Sequence, residues 1–265
     1  MSKARRHSDS AAVELRLSSA ARSGLRFLFL LAAAWLAFPS GGRAAAAAKL
    51  DGPALAQLVR EQRPTEVFEA SGLLRLRNPA GKWWKEVPVR LTVQPLPDGW
   101  QSHYVVYDAQ GAPAEELLVI HQGSKPNRYV YRPPGGKVVA LRGGEAAVSF
   151  AGSQFWLCDL GLEFLWWPKQ RILGSEMRKG RPCRVLESVN PDPAPGQYGS
   201  VKSWIDAEKL ALLRAEAYDA SGKLLKEFNI GSVKKVRGQW RVKSMEIRDA
   251  LSDARTRLEF DLIVQ

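Results

Sequence analysis

From about residue 70 onward the chain alternates between apolar and polar positions. Val89, Leu91 and Val93 alternate with Arg90, Thr92 and Gln94. Thr256, Leu258, Phe260 and Leu262 alternate with Arg255, Arg257, Glu259 and Asp261. A period of two, with one face apolar and the other charged, predicts antiparallel strands with one solvated side. Similar runs occupy 70–77, 101–107, 116–122, 128–132, 137–142, 183–189, 200–206, 210–218, 224–236 and 239–249. Turn residues separate them at Asn78–Gly81, Pro97–Gly99, Gln110–Gly111, Pro133–Gly136, Lys179–Gly180, Ser221–Gly222 and Arg237–Gly238. The intervals are short and hold no helical periodicity. The pattern therefore predicts a mainly β domain spanning residues 49–265, a meander of about 11 strands closing into a barrel or curved sheet. One helix precedes it. Asp51 is its candidate N-cap, Pro53 sits in its first turn, Leu55, Leu58 and Val59 share a face, and Pro64 ends it.

Residues 155–168, FWLCDLGLEFLWWP, break the alternation. As a helix, the segment leaves only Asp159 and Glu163 polar, on one narrow stripe. As a strand, it puts Trp156, Cys158, Leu160, Leu162, Phe164 and Trp166 on one face. Its length favours a helix or helical turns ended by Pro168, because the run exceeds a typical strand. Such a segment either plugs one mouth of the sheet as core or lines and lids a cavity for acyl chains. The eight Trp beyond residue 48 add to the second reading, since a Trp ring suits a pocket wall or a rim wetted on one side.

The first 48 residues read as a cleavable export signal. Met1–Arg26 is a basic leader, Phe27–Phe38 is a short apolar run, Pro39–Gly42 breaks it, and Ala44–Ala48 offers small-residue cleavage sites. The apolar run is about half of the roughly 20 residues that a spanning helix needs. This predicts export to the periplasm, and no Cys near the cleavage site marks a lipid anchor. Without the leader, the formal charge falls from +12 to +7, with 32 basic and 25 acidic residues interspersed. No basic block points to nucleic acid. Attraction to anionic headgroups fits this charge, as does ordinary solvation. Cys158 and Cys183 are the two cysteines, and in an oxidising compartment they either pair or stay as buried thiols.

Catalytic signals are weak. The only His beyond the leader are His103 and His121, each in a strand-like run. There is no G-x-S-x-G elbow and no H-E-x-x-H motif. Glu115 and Glu116 are neighbours in a strand and so face opposite ways. The expectation is a non-enzyme with no cofactor and no metal.

Residues 150–260 resemble the LolA-like family of outer-membrane lipoprotein-sorting proteins. The resemblance rests on Phe155–Trp167 with its Asp159-Leu160-Gly161 centre, on Cys183–Ser188, Ser203–Asp206 and Ala217–Asp219, and on Gly222–Lys226 and Thr256–Phe260. It implies an incomplete antiparallel β-barrel capped by helices, with an apolar interior that shelters acyl chains. The reading is then a periplasmic, monomeric carrier of lipid or lipoprotein acyl chains, served by an inner-membrane transporter and an outer-membrane acceptor. The alternative on the same fold is a non-enzymatic envelope sensor or assembly module. The expected lipid-binding residues are Phe155, Trp156, Leu160, Phe164, Trp166 and Trp167 as cavity or lid, with Trp204 and Phe260 on the sheet side.

Overall fold

The computed structural model describes residues 50–236 and 239–262. The expected export leader and the expected turn at Arg237–Gly238 lie outside the described residues. A single antiparallel sheet of 13 strands dominates, in the order β6-β5-β4-β3-β2-β1-β13-β12-β11-β10-β9-β8-β7. The strands are β1 (Phe68–Arg77), β2 (Trp83–Leu96), β3 (Gly99–Tyr107), β4 (Pro113–Gln122), β5 (Lys125–Arg132) and β6 (Val139–Leu141). They continue with β7 (Lys169–Arg178), β8 (Arg181–Val189), β9 (Ser200–Asp206), β10 (Leu212–Tyr218), β11 (Leu224–Val236), β12 (Gln239–Asp249) and β13 (Arg255–Phe260).

Two meanders, β1–β6 and β7–β13, are joined where β1 pairs with β13, Leu74 opposite Leu258. The free edges are β6 and β7. These edges do not pair with each other, so the barrel is incomplete. The strands are also consecutive in sequence, so residues 142–168 must carry the chain from one edge to the other.

The sheet has 13 strands where about 11 were expected. The strand that falls outside every alternating run is β7, whose KQRILGSEMR sequence shows no alternation and whose residues are mostly exposed. An edge strand with little to bury carries no period-two signal.

The predicted alternation holds on the inner face. Ala70, Leu74 and Leu76 of β1, Val87 to Val93 at odd positions of β2, Leu117 and Val119 of β4, and Leu258 and Phe260 of β13 are buried in one cluster. A second cluster gathers Leu186 of β8, Val201 and Ile205 of β9, and Ala215 and Ala217 of β10. Helix α1 (Gly52–Arg60) closes over this second cluster with Leu55 and Ala56. Asp51 caps the helix by accepting the Ala54 N–H at 2.9 Å, and Pro53 lies in the first turn where no N–H is needed. The outer face is solvated and carries ion pairs such as Arg75–Glu86 at 3.0 Å and Arg257–Glu246 at 3.2 Å. Exposed pairs of this kind contribute about 0.2–1 kcal/mol each.

Candidate functional site

Residues 142–168 fill the open side of the sheet. Phe150, Phe155 and Leu157 are almost fully buried against the first cluster. Burying a side chain of this size contributes about 1.5–3 kcal/mol. Of the expected helix or helical turns, the segment takes the second form, as two short turns: α2 (Leu157–Leu160) and a 3₁₀ turn over Glu163–Trp166. The break lies at Gly161 and Leu162. Leu162 is left-handed, with φ 51° and ψ 46°. Gly161 sits against the Tyr129 ring, and a Cβ there would clash with the phenol. Trp167 returns to extended backbone, as the following Pro168 requires.

Three buried polar stations hold this plug. At the first, Glu115 of β4 points inward and accepts hydrogen bonds from the Tyr131 hydroxyl at 2.8 Å and the Ala151 N–H at 3.0 Å.

At the second, Lys226 of β11 lies 5% exposed, donating to the Gln154 carbonyl at 2.7 Å. Its Nζ is 3.5 Å from Asp159 Oδ2 and 3.5 Å from the Trp156 ring centroid. Asp159 also accepts from the Trp156 N–H at 2.8 Å and the Tyr198 hydroxyl at 3.0 Å. Burial lowers the Lys226 ammonium pKa, against the opposing pull of Asp159. Burial, seconded by the Asp159 charge, pushes the Tyr198 phenol well up.

At the third, the Tyr129 hydroxyl donates to Glu163 at 2.8 Å, and Asn127 Nδ2 donates to the Gly161 carbonyl at 2.7 Å. Burial raises the Glu163 pKa to about 6, although hydrogen bonds from Tyr129 and Asn127 favour its charged form.

The expected lipid-binding residues separate into three groups. Phe155, Leu160 and Phe260 belong to the first cluster. Trp156, Phe164 and Trp167 belong to the second, where Trp156 stacks on Tyr198 with centroids 4.5 Å apart. Trp166 lies at the rim under the Arg60 guanidinium, 4.3 Å from its ring centroid. Trp204 does not join them. It packs with Cys183 and Val185 in a small cluster of its own, between Arg178 and Arg214, and its Nε1 donates to Glu176 at 2.8 Å. The strand period explains this: Trp204 lies opposite Val185 and out of phase with the inward Val201 and Ile205.

The two cysteines are free thiols. Cys158 sits in the plug and Cys183 packs beside Trp204 on the far side of β8.

Two cavities border the plug. One, of about 30 Å³, is lined by Asp159, Leu162, Phe164, Tyr198, Lys226 and Phe228 among others. The other, of about 80 Å³, opens at the rim among Arg60, Arg63, Trp100, His121, Leu160 and Trp166. A small-ligand pocket typically occupies roughly 300–1,000 Å³. Neither cavity is large enough for an acyl chain, and the plug occupies the apolar inner face between them.

Glu115, Asn127 and Lys226 escaped the sequence reading of the site. Their signal is a polar residue in the inward register of a strand: Glu115 precedes Leu117 and Val119, and Lys226 precedes Phe228 and Ile230. Among the described residues, no group of three His, Cys, Asp or Glu could hold a metal ion. No helix among them is long and apolar enough to cross a membrane, which leaves strands out of account.

Comparison with known proteins fits this geometry. A putative outer membrane lipoprotein-sorting protein domain from Vibrio parahaemolyticus is similar at 21% identity, over 82% of this chain and 92% of that one, with a TM-score of 0.67. A DUF1329 family protein from Desulfovibrio piger gives 20% identity, 79% and 90% coverage, and a TM-score of 0.64. A LolA superfamily protein from Nitrosomonas europaea gives 19% identity, 80% and 92% coverage, and a TM-score of 0.56. At these identities the likeness shows the fold, which is LolA-like. No curated protein matches the chain. Residues 107–264 match the model of a family described as "Uncharacterized protein", and the chain belongs to that family.

Proposed function

We propose that the protein is a periplasmic, non-enzymatic carrier that takes up acyl chains of lipids or lipoproteins when residues 142–168 leave the inner face of the sheet. One observation carries this reading. The largest apolar surface of the sheet is covered by the irregular connection between its two unpaired edges, and not by another sheet or a long helix. Such a cover is tied down at a few polar stations and can move without breaking a strand pairing. Phe155, Trp156, Leu160, Phe164 and Phe260 would then face the guest, with Trp166 and Trp167 at the mouth. Trp204 has no part in it. Each CH₂ left in water costs about 0.8 kcal/mol, so an acylated cargo crossing an aqueous compartment needs such a shelter. The leader at residues 1–48 and the donor and acceptor membranes belong to the same reading.

The test is chemical. The protein is purified from the envelope of an expressing bacterium, extracted with organic solvent, and the extract analysed by mass spectrometry. A near-stoichiometric acyl lipid is expected. An empty extract, together with failure to bind a fluorescent fatty acid, would count against the carrier.

The filled interior favours a second reading, an envelope sensor or assembly module that uses its surface and keeps its core closed. Crosslinking that returns one stoichiometric protein partner, from a preparation free of lipid, would favour it.

A further inference from the structure

The rim cleft is cationic, with Arg60 and Arg63 in its lining. Several other arginines are matched to carboxylates: Arg132 with Glu116 at 2.5 Å, Arg181 with Asp206 at 2.6 Å, Arg214 with Glu216 at 2.6 Å. Arg60 and Arg63, on one wall of the cleft, make no ion pair among the described residues, and no carboxylate lines the cleft. Their sequence neighbour Glu61 is exposed and accepts from Gln57 at 2.7 Å. Arg60 uses Nη1 on the Leu165 carbonyl and lies over Trp166. Arg63 makes no hydrogen bond among the described residues, and its Nη2 lies where a Cβ on Gly123 would crowd it, at 3.0 Å. The facing wall is flat and aromatic. Trp100 stacks on His121, with centroids 3.6 Å apart and planes at 15°. His121 Nε2 is buried and has no hydrogen-bond partner. Burial pushes the His121 pKa down to about 4, so the ring is neutral at pH 7 and offers a polar atom without adding charge.

Two guanidinium groups without an ion-pair partner, Arg60 feeling only the charge of its neighbour Glu61, form with the aromatic faces a receptor for an anionic group attached to an apolar body. Guanidinium binds phosphate and carboxylate oxygens through paired N–H donors. The cleft also borders the plug at Leu160, Leu162 and Leu165. A chain attached to the anion would start at the place where the plug leaves the sheet.

We propose that this cleft binds the anionic group, phosphate or carboxylate, of an amphiphile, with Arg60 and Arg63 as its cationic wall. The inference rests on the carrier reading only for the source of the anion.

Isothermal titration of the full chain with three probes separates the two ideas. The probes are inorganic phosphate, a monoacyl phosphate, and a monoacylglycerol of the same chain length, the amphiphiles being kept below their critical micelle concentrations. The monoacyl phosphate is expected to bind at least tenfold more tightly than the neutral amphiphile. Arg63→Gln, at an exposed side chain without internal contacts, should erase that preference, leaving the neutral amphiphile and the urea midpoint unchanged. Arg60→Gln should do the same, with some loss of stability through Leu165. Raised salt should weaken the anionic probe alone. If both amphiphiles bind equally and the arginine variants change nothing, the anion site is overturned and the carrier survives. If phosphate binds through Arg63 and neither amphiphile does, the site stands and the carrier falls. If no probe binds, both fall.

Discussion

Lys226 Nζ lies 3.5 Å above the Trp156 ring and 3.5 Å from the Asp159 carboxylate, deep between β11 and the plug. Breaking one side of a buried ion pair leaves an uncompensated charge and costs about 3–5 kcal/mol. Lys226→Met should therefore lower stability by about that much in urea unfolding. Adding Asp159→Asn should restore part of it, since the remaining polar groups are neutral and Tyr198 can still donate. A single-variant loss below about 1 kcal/mol would mean that the station does not hold the plug.

Glu163 makes the plug sensitive to pH. Its folded pKa of about 6 lies above the ordinary 4.5, mainly because burial disfavours the carboxylate. Between these values the folded state holds the proton more tightly than the unfolded chain does. Stability should therefore fall as pH rises from about 4.5 to about 6, and the loss should persist above that window. The shift corresponds to about 2 kcal/mol. Glu163→Gln should flatten this dependence and raise the urea midpoint at pH 7. A wild-type stability that rises through the same window would contradict the assignment.

Phe164 and Trp166 are two residues apart and should behave differently. Phe164 is 6% exposed in the second cluster, and Phe164→Ala should cost about 3–5 kcal/mol of stability. Trp166 is partly exposed at the rim, so Trp166→Ala should cost far less. On the carrier reading, replacing Trp166 and Trp167 together weakens fatty-acid binding more than it weakens folding. Equal losses in the two measurements would make them ordinary packing residues.

The sheet was legible where burial is one-sided. Val89, Leu91 and Val93, or Leu258 and Phe260, state their face through the period of two. The helix at Asp51 was legible through its cap and Pro53. Strand β7 was not, because an exposed edge imposes no pattern. Nor was the break at Gly161–Leu162, which follows from the approach of Tyr129 across 32 residues of sequence. Trp204 misled for a related reason: a Trp is apolar on either side of a sheet, and only the register with Val185 shows which side it takes. Glu115 and Lys226 were readable as breaks in the inward register, but their purpose emerged only when the plug was in place above them.

The central claim is that the segment between β6 and β7 vacates the sheet for an acyl chain. Hydrogen–deuterium exchange of the peptides covering residues 142–168, with and without saturating fatty acid, addresses it directly. Movement predicts faster amide exchange in those peptides on binding, while β1, β2 and β13 stay protected. Exchange in 142–168 that is unchanged or slowed, at a concentration where the fatty acid is bound, would contradict it.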